Sequence, residues 1–183
     1  MKKLFTGAAC LLLAGSVFAA HHEEASPQVA EIYDCNLKEG VTADQLAALG
    51  AGDFADLVKK HDLNMTAFLW EAVSVNQPYD QVDVRWVNYF PSWVDYGDAD
   101  AAWRAHGGEV AAKINDMATC AKPTTWAVQP AGEEAPAAPV KPLYIRVCNL
   151  KEGNTMKNAM AYRKAVNDAQ NADIDGTVGS YVF

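Results

Sequence analysis

The sequence predicts an α+β fold of element order β-α-β-β-α-β, followed by a second, incomplete β-α-β copy of the same unit. Three observations carry this. The hexapeptide Cys-Asn-Leu-Lys-Glu-Gly stands at Cys35–Gly40 and again at Cys148–Gly153, and self-similarity at domain-sized spacing marks a duplicated unit. Between residues 29 and 128, stretches rich in aromatic and branched residues alternate with stretches of helical period. A Pro-, Ala- and Glu-rich stretch, 129–142, separates the first unit from the second and reads as a semi-extended linker.

Residues 1–19 read as an export signal. Lys2 and Lys3 precede a short apolar run from Leu4, and Val17-Phe18-Ala19 fits a cleavage site. The run is too short and too rich in Gly and Ala for a spanning helix, and no later segment approaches one. Cys10 lies too early to be a lipid-attachment cysteine. The leader is of the Gram-negative type, so the expected location is periplasmic or secreted, with no stable membrane insertion. Residues 20–28 are a polar tether.

In the first unit, Val29–Leu37 reads as a strand that ends at Lys38-Glu39-Gly40. Thr42 with Gln45 forms a capping-box signal, and Leu46, Leu49, Leu57 and Val58 follow with helical spacing. Gly50 and Gly52 weaken the middle of that helix, which is expected to end near Lys60-His61-Asp62. Met65–Val75 and Val82–Trp93 read as two strands joined by the turn chemistry of Asn76–Asp80. Asp98–His106 and Glu109–Cys120 read as helical, interrupted at Gly107-Gly108, with Trp103, Val110, Ile114 and Met117 on one stripe. Thr124–Val128 closes the unit as its fourth strand. This is the split βαβ arrangement, and about 100 residues of it can bury a core.

In that topology the last strand runs antiparallel beside the first, which brings the end of strand one near the start of strand four. A Cys35–Cys120 disulfide is therefore expected, contributing about 4 kcal/mol by closing a long loop. Cys148 is left over, and an odd cysteine in an exported chain calls for a partner. The second unit, 143–183, restarts with Leu143–Leu150 as strand, a cap at Asn154 or Thr155, a helix with Met156, Met160 and Val166 on one face, and Thr177–Phe183 as strand. The partner equivalent to Cys120 would fall well beyond Phe183, so the expectation is a unit cut short, with pairing between chains as the alternative.

Loss of Lys2 and Lys3 with the leader takes the net charge from −8 to about −10, a balance that disfavours nucleic acid and anionic lipid as partners. No HExxH, CxxC, Ser-His-Asp or Cys-His pattern is present, and no cofactor motif. The single Gly of Lys-Glu-Gly lacks the density of a phosphate loop and reads as a strand-ending turn.

The β-α-β-β-α-β order, the aromatic hairpin and the duplication resemble the dimeric α/β-barrel superfamily, which includes antibiotic-biosynthesis monooxygenase-like and EthD-like domains. The resemblance implies ferredoxin-like sheets packed face to face, from a homodimer or from a second domain copy in one chain. More closely, the chain is similar to exported bacterial tandem-domain proteins of no assigned function, through Tyr33-Asp34-Cys35-Asn36-Leu37, Ala118-Thr119-Cys120 and Trp126. It covers residues 30–128 fully and 143–183 in part, and transfers no catalytic residue.

The hairpin supplies the candidate site. Trp70 shares a strand face with Phe68; on the next strand Trp86, Asn88 and Phe90 alternate with Arg85, Val87 and Tyr89, and Trp93 follows. One reading makes these rings core or unit-to-unit interface. The other makes an aromatic cleft for a small apolar ligand, lined by Trp70, Trp86, Tyr89 and Trp93, with Glu71, Arg85 and Asn88 as polar anchors and His106 at its mouth. His61 and His106 each close a helical segment, where an imidazole meets terminal carbonyls. Separately, Ala20-His21-His22 at the mature N-terminus can wrap Cu(II) or Ni(II). The leading expectation is an exported, disulfide-stabilised binding or assembly protein. The alternative is a cofactor-independent monooxygenase-like enzyme using the aromatic cleft.

Overall fold

The computed structural model describes residues 28–71, 82–130, 148–173 and 181–182. Strand β1 (Gln28–Leu37) occupies the middle of an antiparallel sheet, with β3 (Val84–Phe90) on one side and β5 (Thr124–Pro130) on the other. Strand β2 (Thr66–Glu71) flanks β3, and β4 (Ala118–Cys120) pairs with the far end of β1. The order β2-β3-β1-β5 is that of a ferredoxin-like sheet, so the α+β expectation holds.

Period-two alternation assigns the two faces, because directly paired residues share a side. Val29, Glu31, Tyr33, Cys35 and Leu37 stand opposite Phe90, Asn88, Trp86, Val84 and Ala118 in turn. Most of these belong to the core, and they face the helices. Ala30, Ile32 and Asp34 stand opposite Tyr89, Val87 and Arg85 on the other face, with Phe68, Trp70 and Trp126.

Helix α1 (Ala43–Leu49) begins where the sequence predicts. Thr42 Oγ1 accepts the Gln45 amide at 3.3 Å and Gln45 Oε1 accepts the Thr42 amide at 2.8 Å, a complete capping box. A π-helical turn (Gly50–Phe54) then carries the chain into α2 (Ala55–Lys60), so the glycine-weakened stretch widens rather than breaks. The widened turn delivers Phe54 to the edge of Trp86, ring centroids 5.1 Å apart.

Helix α3 (Trp93–His106) starts at Trp93, ahead of the predicted Asp98. Ser92 caps it, its hydroxyl accepting from the Asp95 amide at 3.2 Å. Trp93 and Val94 therefore belong to a first helical turn and not to the preceding strand. Helix α4 (Gly108–Met117) also ends earlier than predicted, because Ala118 is already extended and Ala118–Cys120 pairs with Leu37–Cys35. The fourth strand of the unit is thus split into β4 and β5, both on β1, with the Ala121 amide donating to the Asp34 carbonyl at 2.8 Å between them.

Trp103, Val110, Ile114 and Met117 all reach the main core cluster around Leu46, Phe54 and Trp86. Of these Val110 is buried and the other three partly so; burying a side chain like that of Val110 contributes about 2 kcal/mol. Gly107, between α3 and α4, is required by close approach: a Cβ there would lie 2.6 Å from the Trp103 ring. The predicted disulfide is present, with Cys35 and Cys120 directly opposite each other in the β1–β4 ladder.

In the second hexapeptide the Lys151–Asn154 turn leads into α5 (Met156–Asp173), capped by Thr155 with Asn158. Strand β6 (Tyr181–Val182) pairs with the end of β5 through Gln129 and Pro130. Residues 148–150 form no strand, and the rest of the predicted Leu143–Leu150 strand lies outside the described residues. So do the expected leader, His21 and His22, the Asn76–Asp80 turn and most of the expected linker.

Candidate functional site

Between the sheet and its helices lies a cavity of about 240 Å³. Its floor is the helix-facing side of β1 and β3, contributing Glu31, Tyr33, Trp86 and Asn88; Phe54, Tyr96 and Trp103 stand around it from the π-helical turn and α3. The volume exceeds the roughly 150 Å³ of an engineered apolar cavity that binds benzene. Phe54 packs against both Trp86 and Trp103, at 5.1 and 6.0 Å between centroids.

A directed polar chain runs along this floor. Trp86 Nε1 donates to Asn88 Oδ1 at 2.9 Å, and Asn88 Nδ2 donates to Glu31 Oε2 at 3.0 Å. The indole can only donate and an ionised carboxylate can only accept, so the amide of Asn88 has one orientation that serves both. Tyr33 lies on the same strand face as Glu31. Burial, then the neighbouring Glu31 carboxylate, pushes its phenol well above the usual tyrosine range, so the hydroxyl remains a proton donor. Asp100, from α3, also lines the cavity and is tied to Arg104 at 2.7 Å.

The structure divides the sequence-predicted cleft residues. Trp86 and Asn88 line the cavity, both 7% exposed. Trp70, Arg85 and Tyr89 point to the other face, where Arg85 pairs with Asp34 at 2.7 Å and Tyr89 meets Phe68 edge-on. Glu71 stands at the exposed end of β2. Trp93 is 49% exposed at the start of α3, edge-on to Tyr96.

His106 is brought to His61 instead of the cavity. The two imidazoles stack with centroids 4.2 Å apart and planes 10° from parallel. They border a separate depression of about 190 Å³ with Asp53, Asp56, Lys60, Glu109 and Lys113. Partial burial, then the facing His106 and Lys60, holds the His61 imidazole below the usual histidine range. Among the described residues, no group of three or more His, Cys, Asp or Glu comes together in a way that could hold a metal ion.

Sequence reasoning missed Glu31, Tyr33 and Asp100. A signal for the first two exists: Val29, Glu31, Tyr33, Cys35 and Leu37 alternate, so Glu31 shares a side with the core cysteine.

No family model and no curated protein matches the chain. Among solved structures, it is similar to a hypothetical protein of Arabidopsis thaliana, at 20% identity and a TM-score of 0.42, over 58% of this chain and 93% of that one. It is also similar to a protein provisionally assigned as a chlorite dismutase, at 8% identity and a TM-score of 0.29, over 57% of this chain and 43% of that one.

Proposed function

We propose that this is an exported binding protein that holds a small, mainly apolar ligand between its sheet and its helices. The observation that supports this best is the cavity itself: an aromatic-lined space of about 240 Å³ with the Trp86–Asn88–Glu31 chain on its floor. Concave apolar space with few convergent polar groups is the usual recipe of a ligand site. The cysteine bridge fits an oxidising compartment, as the leader-like N-terminus does.

Titration with indole, followed by NMR of the tryptophan side-chain N–H signals, tests the reading. Indole is expected to shift the Trp86 and Trp103 signals in the natural chain. In Ala99→Leu and Ala111→Leu, which fill the space from α3 and α4, the shifts are expected to disappear. Equal shifts in the filled variants, or none in the natural chain, would count against the cavity.

The opposite face supports assembly as the companion role. Phe68 and Trp126 there are 48% and 45% exposed, on either side of buried Ala30 and Val87. A second ferredoxin-like unit, from the same chain or another copy, is the occupant this reading assigns. Light scattering of Phe68→Glu against the natural chain checks the between-chain form, which predicts a smaller particle for the variant.

A further inference from the structure

We infer that the cavity selects a cation: a small ammonium or amidinium group on an apolar body, with Glu31 as its counter-charge. This rests on the ligand-binding reading above and adds the chemical class of the ligand. It follows from what the lining can offer. Among the described lining residues the ionisable side chains are Glu31, Asp100 and the tyrosines Tyr33 and Tyr96, with no Lys, Arg or His.

The two carboxylates are not equivalent. Asp100 already has the Arg104 guanidinium, with both nitrogen–oxygen contacts made. Glu31 forms no ion pair among the described residues. An ionised carboxylate presents about four acceptor positions; Asn88 Nδ2 occupies one and the Tyr33 hydroxyl another. Glu31 is half-buried on the cavity floor, and a cationic ligand would bring it the opposite charge that the other lining residues do not supply.

Donor direction gives the same result. The Trp86 N–H is consumed by Asn88, and the Asn88 amide and the Tyr33 hydroxyl both donate toward Glu31. An entering carboxylate would find these three donors engaged and a like charge beside it. An entering N–H cation finds open acceptor positions. The rings complete the match, because Trp86, Trp103, Phe54 and Phe90 all line the space and aromatic faces attract cations.

Three probes matched in ring and chain length separate the possibilities: 2-phenylethylammonium, 2-phenylethanol and phenylacetate, each titrated by calorimetry into the full chain at neutral pH. The ammonium is expected to bind at least about tenfold tighter than the alcohol, with phenylacetate weakest, since a charge-assisted hydrogen bond separates them. In Glu31→Gln the ammonium is expected to fall to the affinity of the alcohol, while the alcohol keeps its own within about threefold. The ranking in the natural chain requires no variant, so it decides the matter even if Glu31→Gln folds poorly. Equal binding of ammonium and alcohol would overturn the charge selection and leave the cavity reading standing. A preference unchanged in a folded Glu31→Gln would also overturn it. No binding by any probe would remove this inference together with the ligand-binding reading, and that pattern is distinct from the others.

Discussion

The two copies of Cys-Asn-Leu-Lys-Glu-Gly adopt the same local shape and meet opposite fates. In the first, the Val41 amide returns to the Lys38 carbonyl at 3.0 Å; in the second, the Asn154 amide returns to that of Lys151 at 3.1 Å. Gly40 and Gly153 have φ of 79° and 80°, a left-handed conformation that costs other residues about 1 kcal/mol or more. Each turn is followed by a capped helix, through Thr42 and Gln45 or Thr155 and Asn158. Yet Cys35 is fully buried and bridged to Cys120, whereas Cys148 is an exposed free thiol. Turn and cap chemistry travels with the local residues. The role of the cysteine depends on what another part of the chain brings to it.

The largest break in this comparison comes from the cysteines. The double variant Cys35→Ala, Cys120→Ala is expected to lower stability by about 4 kcal/mol, measured by urea unfolding of the first unit. Cys148→Ser, on an exposed side chain, is expected to stay within about 0.5 kcal/mol of the natural chain. A comparable loss from both would show that Cys148 also contributes a structural contact.

Next in size is Gly107→Ala. Its new methyl would meet the Trp103 ring, and overpacking of this kind costs about 2 kcal/mol. The cavity lies against the same ring, so indole binding is expected to weaken together with the unfolding midpoint.

The caps sharpen the local half of the comparison. Thr42→Ala is expected to cost about 1 kcal/mol, read in the unfolding of the first unit. Thr155→Ala is expected to leave that transition in place and to raise amide exchange in the first turn of α5. If Thr155→Ala moved the first transition, the two copies would share one cooperative unit.

The smallest effect is a pH dependence. The folded-state pKa of His61 is depressed, so below the ordinary histidine value the unfolded chain binds the proton more readily than the folded one. Its contribution is fully present above about pH 6.5 and is lost as the pH falls through that value toward the folded pKa. In His106→Asn the facing imidazole is gone, and the slope of stability against pH in that window is expected to flatten.

Much of the fold is legible in the sequence. Strand order followed from the split βαβ pattern, and that order placed Cys35 beside Cys120. The start of α3 was not recovered, because Trp93 and Val94 continue the aromatic, branched character of β3; the Ser92–Asp95 cap was the overlooked signal. The site was half legible. Alternation separates Trp86 and Asn88 from Arg85 and Tyr89, but grouping residues by hairpin merged the two faces. Glu31 escaped because an acidic residue within a strand normally points to water. Its partner Asn88 belongs to β3 and meets it only across the β1–β3 ladder.

The bridge between β1 and β4 also makes the first unit a closed ring when the chain is pulled from its ends. Tension entering at Cys35 leaves at Cys120 through the sulfur atoms, bypassing a sequence separation of 85 residues. At about 3.4 Å per extended residue, roughly 290 Å of contour is hidden from the load. A reductant would release that length, so the oxidised protein is the shorter and stiffer tether.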